Sequence, residues 1–151
     1  MIDIALYQPD IAPNAASIMR LAACFGQKVH VIEPAGFLWS DSTFRRAGMD
    51  YLEQVEVMRQ ASWPAFRQTV AGRRLVLATT AGAMTYHSFV FHTDDIIVMG
   101  RESAGVPDEV HQAVAARLII PMRHGLRSLN VAMACAILTA EALRQTRSFP
   151  A

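Results

Sequence analysis

Lysine is nearly absent from this chain: of 14 basic residues only Lys28 is a lysine, and the rest are arginine. Guanidinium groups grip phosphates and carboxylates in a bidentate manner that ammonium does not. A general leaning toward arginine accounts for the same numbers, and the net charge is only +1, so composition alone makes no case for nucleic acid. Cysteine is scarce as well. Cys24 and Cys135 lie in apolar, helix-like runs, with no second Cys or His at metal-ligand spacing. Buried thiols of a cytosolic protein are expected, and neither a disulfide framework nor a zinc site. No apolar run is long enough to span a bilayer. Met1-Ile2-Asp3 has no basic stretch ahead of an apolar one, so it reads as the start of a strand, and the expected compartment is the cytoplasm. The turn after the first strand, Gln8 to Asn14, is not G-x-G-x-x-G. Gly100 and Gly105 have P-loop spacing but are followed by Val106-Pro107 where Lys and Ser/Thr are required. Classical NAD binding and P-loop hydrolysis are thereby disfavoured. No Ser-His-Asp signature and no H-x-x-x-H pair is visible, so no metal is expected.

What is present is a core. Hydrophobic residues make up 52% and charged residues 18%, which excludes disorder, and residues 1–151 read as one domain. Strands are expected at Ile2–Tyr7, Lys28–Ile32, Arg74–Thr79, Asp95–Met99 and Leu118–Met122, with a weaker one at Gln54–Met58. Asp95–Met99 is almost wholly apolar, as in a parallel strand covered on both faces. Helices are expected at Asn14–Phe25, stopped by Gly26; at Ser62–Val70, capped by Ser62; at Pro107–Ala115; and at Asn130–Thr146. Such alternation implies an α/β fold with a mainly parallel sheet.

The last helix is apolar almost all round, with only Thr139 and Glu141 polar in its middle. A helix without a wet face must be covered on every side. A chain this short has few elements to do so, which favours a homodimer through this helix over a buried helix in a monomer.

In open α/β sheets ligands gather outside the carboxyl ends of strands, and three stretches there are polar. In Pro13 to Arg20, residues Asn14, Ser17 and Arg20 share one helix face, a pattern that a capped helix with one solvated arginine also satisfies. Met99 to Pro107 runs from a buried strand into a loop bounded by Gly100 and Gly105, with Arg101-Glu102-Ser103 between them; it suits a ligand approaching the backbone, or a tight turn. Ile119 to Asn130 carries Arg, His and Gly into the long helix, whose first amides could bind a polar ligand or be capped by Ser128 or Asn130.

Taken in order, P-N-x-x-x-x-x-R from Pro13, G-x-E-x-x-G-V-P from Gly100 and I-P-M…S-L-N from Ile120 resemble the three motifs of the SPOUT RNA methyltransferases. His30 to Phe37 and Arg45 to Tyr51 are similar to the subgroup acting on the wobble ribose of tRNA, the TrmL subgroup. The resemblance spans almost the whole chain. It implies a Rossmann-like, mainly parallel sheet with a C-terminal trefoil knot, an exception to the usual connection rules. It implies S-adenosylmethionine as cofactor, held by Ala78, Thr79, Gly100, Glu102, Gly105, Ile120, Met122, Ser128 and Leu129. It implies Arg20 as the residue supporting the reacting hydroxyl, Asn14 shaping the site from the partner subunit, and Glu102, Ser128 and Asn130 ordering the loops. Arg20, Arg45, Arg46 and Arg127 are the implied RNA contacts. The implied partners are a tRNA anticodon loop, with leucine isoacceptors as targets, and a second copy of the chain. Two departures matter. Ala140 stands where relatives often have tyrosine. Ser103-Ala104 stands where they often carry a basic residue, for which Arg101 or Arg123 could substitute. Another RNA target such as rRNA, a non-catalytic RNA-binding dimer of the same fold, and a nucleotide-dependent oxidoreductase are the alternatives. Binding of S-adenosylmethionine, or of NADH or flavin, separates them.

Overall fold

A computed structural model describes all residues from Met1 to Ala151. Seven strands form one parallel sheet: β1 (Asp3–Tyr7), β2 (Val29–Ile32), β3 (Val57–Gln60), β4 (Leu75–Ala78), β5 (Met84–Thr85), β6 (Ile96–Met99) and β7 (Ala116–Ile119). Their order is β3-β2-β1-β6-β4-β7-β5, and every pairing is parallel. The central strands β1 and β6 are buried at every position, which is why their sequences are runs rather than alternations.

Successive side chains still part to opposite faces. Ile4, Leu6, Ile97 and Met99 join one core cluster with α1 (Ala12–Phe25) and α5 (Val131–Thr146). Ala5, Tyr7, Ile96 and Val98 join another with Trp63 and Phe66 of α3 (Trp63–Thr69) and Val110 of α4 (Asp108–Ala113). A further helix, α2 (Ser42–Gly48), is capped by Asp41, which accepts from the amides of Thr43 and Phe44. None of the helices is long and apolar enough to cross a membrane.

The expected elements are present with shifted edges. The first helix begins at Ala12 rather than Asn14, with Ile11 at the cap position and no side-chain cap. Asn14 is therefore not a cap, and its side chain is free for other work. Gly26 ends this helix as expected, in the left-handed conformation at φ 68°. Ser62 caps α3 and Asn130 caps α5. β7 stops at Ile119 rather than Met122, because its neighbours β4 and β5 pair only as far as Leu118 and Ile119 and Pro121 has no N–H to offer. The weak strand lies at Val57–Gln60 instead of Gln54–Met58. Helix α2 and the two-residue β5 were not expected from the sequence. Cys24 is exposed, contrary to expectation, because it lies on the outer face of α1; Cys135 is buried, and burial pushes its thiol up to about 12.

Within one chain helix α5 is covered on one side only, the other side being the one expected to meet a second copy. Cys135, Leu138, Ala142 and Leu143 are buried, while Met133 and Ala140 are exposed and Ala136 and Ile137 only half-buried. Within one chain the helix keeps an open apolar face.

Candidate active site

At the carboxyl ends of β4, β6 and β7 lies a cavity of about 580 Å³. β4 contributes Ala78, Thr79 and Thr80, β6 contributes Met99 and the Gly100–Gly105 loop, and β7 contributes Leu118 to Ile120. Met122 and the Arg127–Asn130 segment close it, with Ile11 and Asn14 on the α1 side. Every residue expected to touch the cofactor lines this cavity: Ala78, Thr79, Gly100, Glu102, Gly105, Ile120, Met122, Ser128 and Leu129. Ser128 and Leu129 are exposed on the open side.

The loop after β6 is pinched shut at its base. Arg101 and Gly105 exchange backbone bonds of 3.1 and 2.8 Å. Gly105 has φ 64°, a conformation that side chains strain. A Cβ on Gly100 would meet the Gly105 backbone at 3.1 Å. The close approach calls for glycine at 100 and the left-handed backbone calls for it at 105, and together they close the base of the Arg101-Glu102-Ser103 loop.

Four polar side chains tie the three motif stretches together. The Asp10 amide donates to Glu102 Oε2 at 3.1 Å, and the Glu102 amide donates to Asp10 Oδ1 at 3.1 Å. Asn14 Nδ2 donates to Glu102 Oε1 at 3.4 Å, and Asn130 Nδ2 donates to Asn14 Oδ1 at 2.9 Å. The remaining oxygen of Asn130 caps α5 by accepting from Ala132 and Met133. Asn14, expected to act in a neighbouring subunit's site, is thus bound into its own chain's cavity.

The electrostatics follow from two carboxyls side by side. Burial, then the neighbouring Asp10, raise Glu102 above the ordinary carboxylate range. Asp10 is lowered to about 2, chiefly by its side-chain bond with Glu102; burial opposes this, and Ser103, the Glu102 amide and Arg101 assist. Arg101 turns inward, its Nη1 donating to Gln8 at 3.2 Å and its Nη2 standing 3.6 Å from Asp10. It is anchored in this chain rather than extended as a free basic contact; Arg123 is exposed.

Arg20 does not line the cavity. It is exposed on α1, its guanidinium 4.6 Å from the Tyr51 ring centre and 3.8 Å from the Met49 sulfur. Arg45 and Arg46 are exposed in the last turn of α2, and Arg127 lines the cavity. The arginines expected to contact RNA are therefore split between the cavity and the α1–α2 surface. Sequence reasoning missed Asp10; a carboxylate three residues past a strand's carboxyl end was the available signal. As for metals, His92, Asp94 and Asp95 place ligand atoms within 4.8 Å, but Arg74 occupies both oxygens of Asp95 at 2.7 Å, making this an ion pair at the opposite end of the sheet.

Comparison with known proteins bears on this geometry. Residues 1–140 match the model of the SpoU rRNA Methylase family. A tRNA (cytidine(34)-2'-O)-methyltransferase of Ancylobacter novellus is 53% identical over 148 residues, 97% of this chain and 94% of its own. A solved structure described as giving insights into the 2-OH methylation of C/U34 on tRNA superposes with a TM-score of 0.93 at 37% identity, covering 96% of this chain and 95% of its own. An AdoMet-bound rRNA methyltransferase from Sinorhizobium meliloti gives a TM-score of 0.85 at 28% identity, over 95% of this chain and 56% of its own.

Proposed function

The chain belongs to the SpoU rRNA methylase family, and from that footing we infer that it methylates the 2′-hydroxyl of the wobble nucleotide, position 34, of tRNA. S-adenosylmethionine is its cofactor. The residues present fit that group. The cavity is within the roughly 300–1,000 Å³ typical of cofactor sites. Its lining comes from strand ends and the loops that follow them, and the glycines at 100 and 105 keep one of those loops free of side chains at its base. Ala78, Thr79, Gly100, Gly105, Ile120, Met122 and Leu129 would hold it, with Glu102 and Ser128 adding side-chain contacts. When bound, S-adenosylmethionine supplies an electrophilic methyl on its sulfonium.

The rest of the task falls to side chains. A ribose hydroxyl is a weak acid, so it must be aligned and its developing charge supported. Arg20 is the residue for that work, while Arg45, Arg46 and Arg127 bind RNA phosphates. The observation that carries this reading is the meeting of three motif stretches on one cavity while Arg20 stands outside it. A site completed by Arg20 of a second copy accounts for that separation. The open face of α5, with Met133 61% exposed, is the surface on which two copies would pair. We further propose that residues 1–151 act as one methyltransferase domain in the cytoplasm, with leucine tRNAs as targets. The segment from β4 onward closes the trefoil knot. Gly82, where a Cβ would stand 2.8 Å from the backbone nitrogen of Ile119, supports so tight a crossing.

The test is mass spectrometry of tRNA from cells lacking this protein. A 2′-O-methylated nucleoside at position 34 should be lost and restored by wild type. Arg20→Ala should reduce transfer by about a hundredfold or more with cofactor affinity unchanged, since Arg20 is not in the cavity wall. Co-expressing Arg20→Ala with Ser128→Ala chains should restore part of the activity if the site is shared. Undisturbed methylation at position 34 in the deletion strain would overturn the reading.

A further inference from the structure

Asp10 belongs to none of the motif stretches, yet the cofactor loop is built onto it. Its Oδ1 accepts from the Glu102 amide, its Oδ2 accepts from the Ser103 hydroxyl and faces Arg101, and its own amide donates to Glu102 Oε2. Glu102 and Asp10 therefore hold each other by two amide-to-carboxylate bonds across 92 residues of sequence. On its other side the Asp10 backbone is clamped in turn. The Gly36 amide donates to Pro9 O at 2.8 Å, and a Cβ on Gly36 would lie 2.8 Å from Asp10 Cα. The residue is thus fixed by one segment and fixes another.

We propose that Asp10 is a positioning residue for methyl transfer, which locks the Gly100–Gly105 loop against the turn after β1 and aims Glu102 at Asn14. Charge-assisted bonds of this kind are stronger than neutral ones, and two of them in parallel define an orientation as well as a distance. With the lock closed, one Glu102 oxygen is spent on Asp10 and the other reaches Asn14, so the bonds to Asn130 and the start of α5 inherit their geometry from Asp10. With it open, Glu102 can swing away and the cavity loses one wall.

The role rests on the methyltransferase reading for its consequence but not for its geometry, and the test separates the two. Amide hydrogen exchange on cofactor-free protein reads the lock directly. In Asp10→Ala the Glu102 amide should lose protection by about tenfold or more, as expected for an amide that has lost an ionised acceptor. Asp10→Asn keeps an acceptor for that amide and should retain most of the protection. Titration with S-adenosylmethionine should show affinity about tenfold weaker for Asp10→Ala, with KM rising more than kcat falls, and near-normal for Asp10→Asn. Asp10→Asn should also move the acid side of the cofactor-binding pH profile downward, because Glu102 no longer adjoins a second carboxyl. Unchanged Glu102 protection in Asp10→Ala would overturn the proposal. So would equal losses in both variants that track their melting temperatures, the signature of general destabilisation. If Asp10→Ala does not fold, Asp10→Glu, which keeps the charge but displaces it by a methylene, decides: Glu102 amide protection and cofactor affinity both equal to wild type defeat the proposal.

Discussion

The two ends of the parallel sheet treat the same chemistry in opposite ways. At the amino ends every buried acid meets an arginine. Arg74 grips Asp95 with two bonds of 2.7 Å, and Arg73 binds Asp3, whose other oxygen accepts from the Lys28 amide at 3.4 Å. Burial pushes Asp3 up, but the His30 ring, its Nε2 3.7 Å away, and the bonded Arg73 outweigh this and hold it below the ordinary range. At the carboxyl ends two carboxyls face each other, and the nearest guanidinium, Arg101, stands off at 3.6 Å with its Nε buried and unpartnered. Both ends hold buried polar atoms without a partner, Gln27 and His30 at the amino end and Arg101 at the carboxyl end, but only the carboxyl end sets two carboxyls side by side. Polar groups arranged at a cost to stability are what a ligand site requires and a purely structural end does not.

That contrast predicts where damage lands. The largest expected effect is at the amino end. Arg74→Ala leaves the fully buried Asp95 without its partner, and urea unfolding should show a loss of about 3 kcal/mol, while the folded fraction keeps its cofactor affinity. A loss below about 1 kcal/mol would mean that the two ends are not so different.

A smaller effect separates the ends by its sign. Asp3 is lowered in the fold, so its contribution is complete above the ordinary carboxylate value of 3.8 and fades as pH falls through the lowered value. Asp3→Asn should therefore be less stable than wild type at neutral pH, and the gap should close only under strong acid. Glu102 is raised, so the folded state takes up its proton first, and wild type gains stability as pH falls from the raised value toward the ordinary 4.5. Glu102→Gln should match or exceed wild-type stability at neutral pH, with the difference shrinking as the solution is acidified. Melting curves from pH 7 to pH 3 on the two variants check this. Gaps of the same sign would erase the distinction.

How much of this was legible beforehand follows the same division. The sheet was readable because β1 and β6 are buried on both faces and their apolar runs announce it. The nine residues expected at the cofactor came from the family resemblance, carried over position by position, and the fold delivers all nine to one cavity. Asp10 was not, because its partner lies 92 residues away and no local period connects them. Asn14 stayed open between a cap and a site residue because cap residues and network residues share a chemistry, and only the helix start at Ala12 distinguishes them. The open face of α5 was half legible. Its apolar composition showed that something must cover it, while which residues the sheet already covers depended on how the helix is rotated.

The smallest expected effect tests whether the amino end owes its stability to pairing as such or to burial. Lys28 and Glu56 also pair there, at 3.0 Å, joining the starts of β2 and β3, but their side chains are 50% and 56% exposed. Water already solvates both charges, salt screens them, and holding two long side chains in one geometry costs rotamer freedom. Lys28→Ala should therefore change the unfolding free energy by no more than about 0.5 kcal/mol, and less in high salt. If it approached the Arg74→Ala loss, charge pairing alone would stabilise this end of the sheet. If it stays small, the difference lies in Asp95 having no exposure at all, where an unpaired carboxylate has no water to return to.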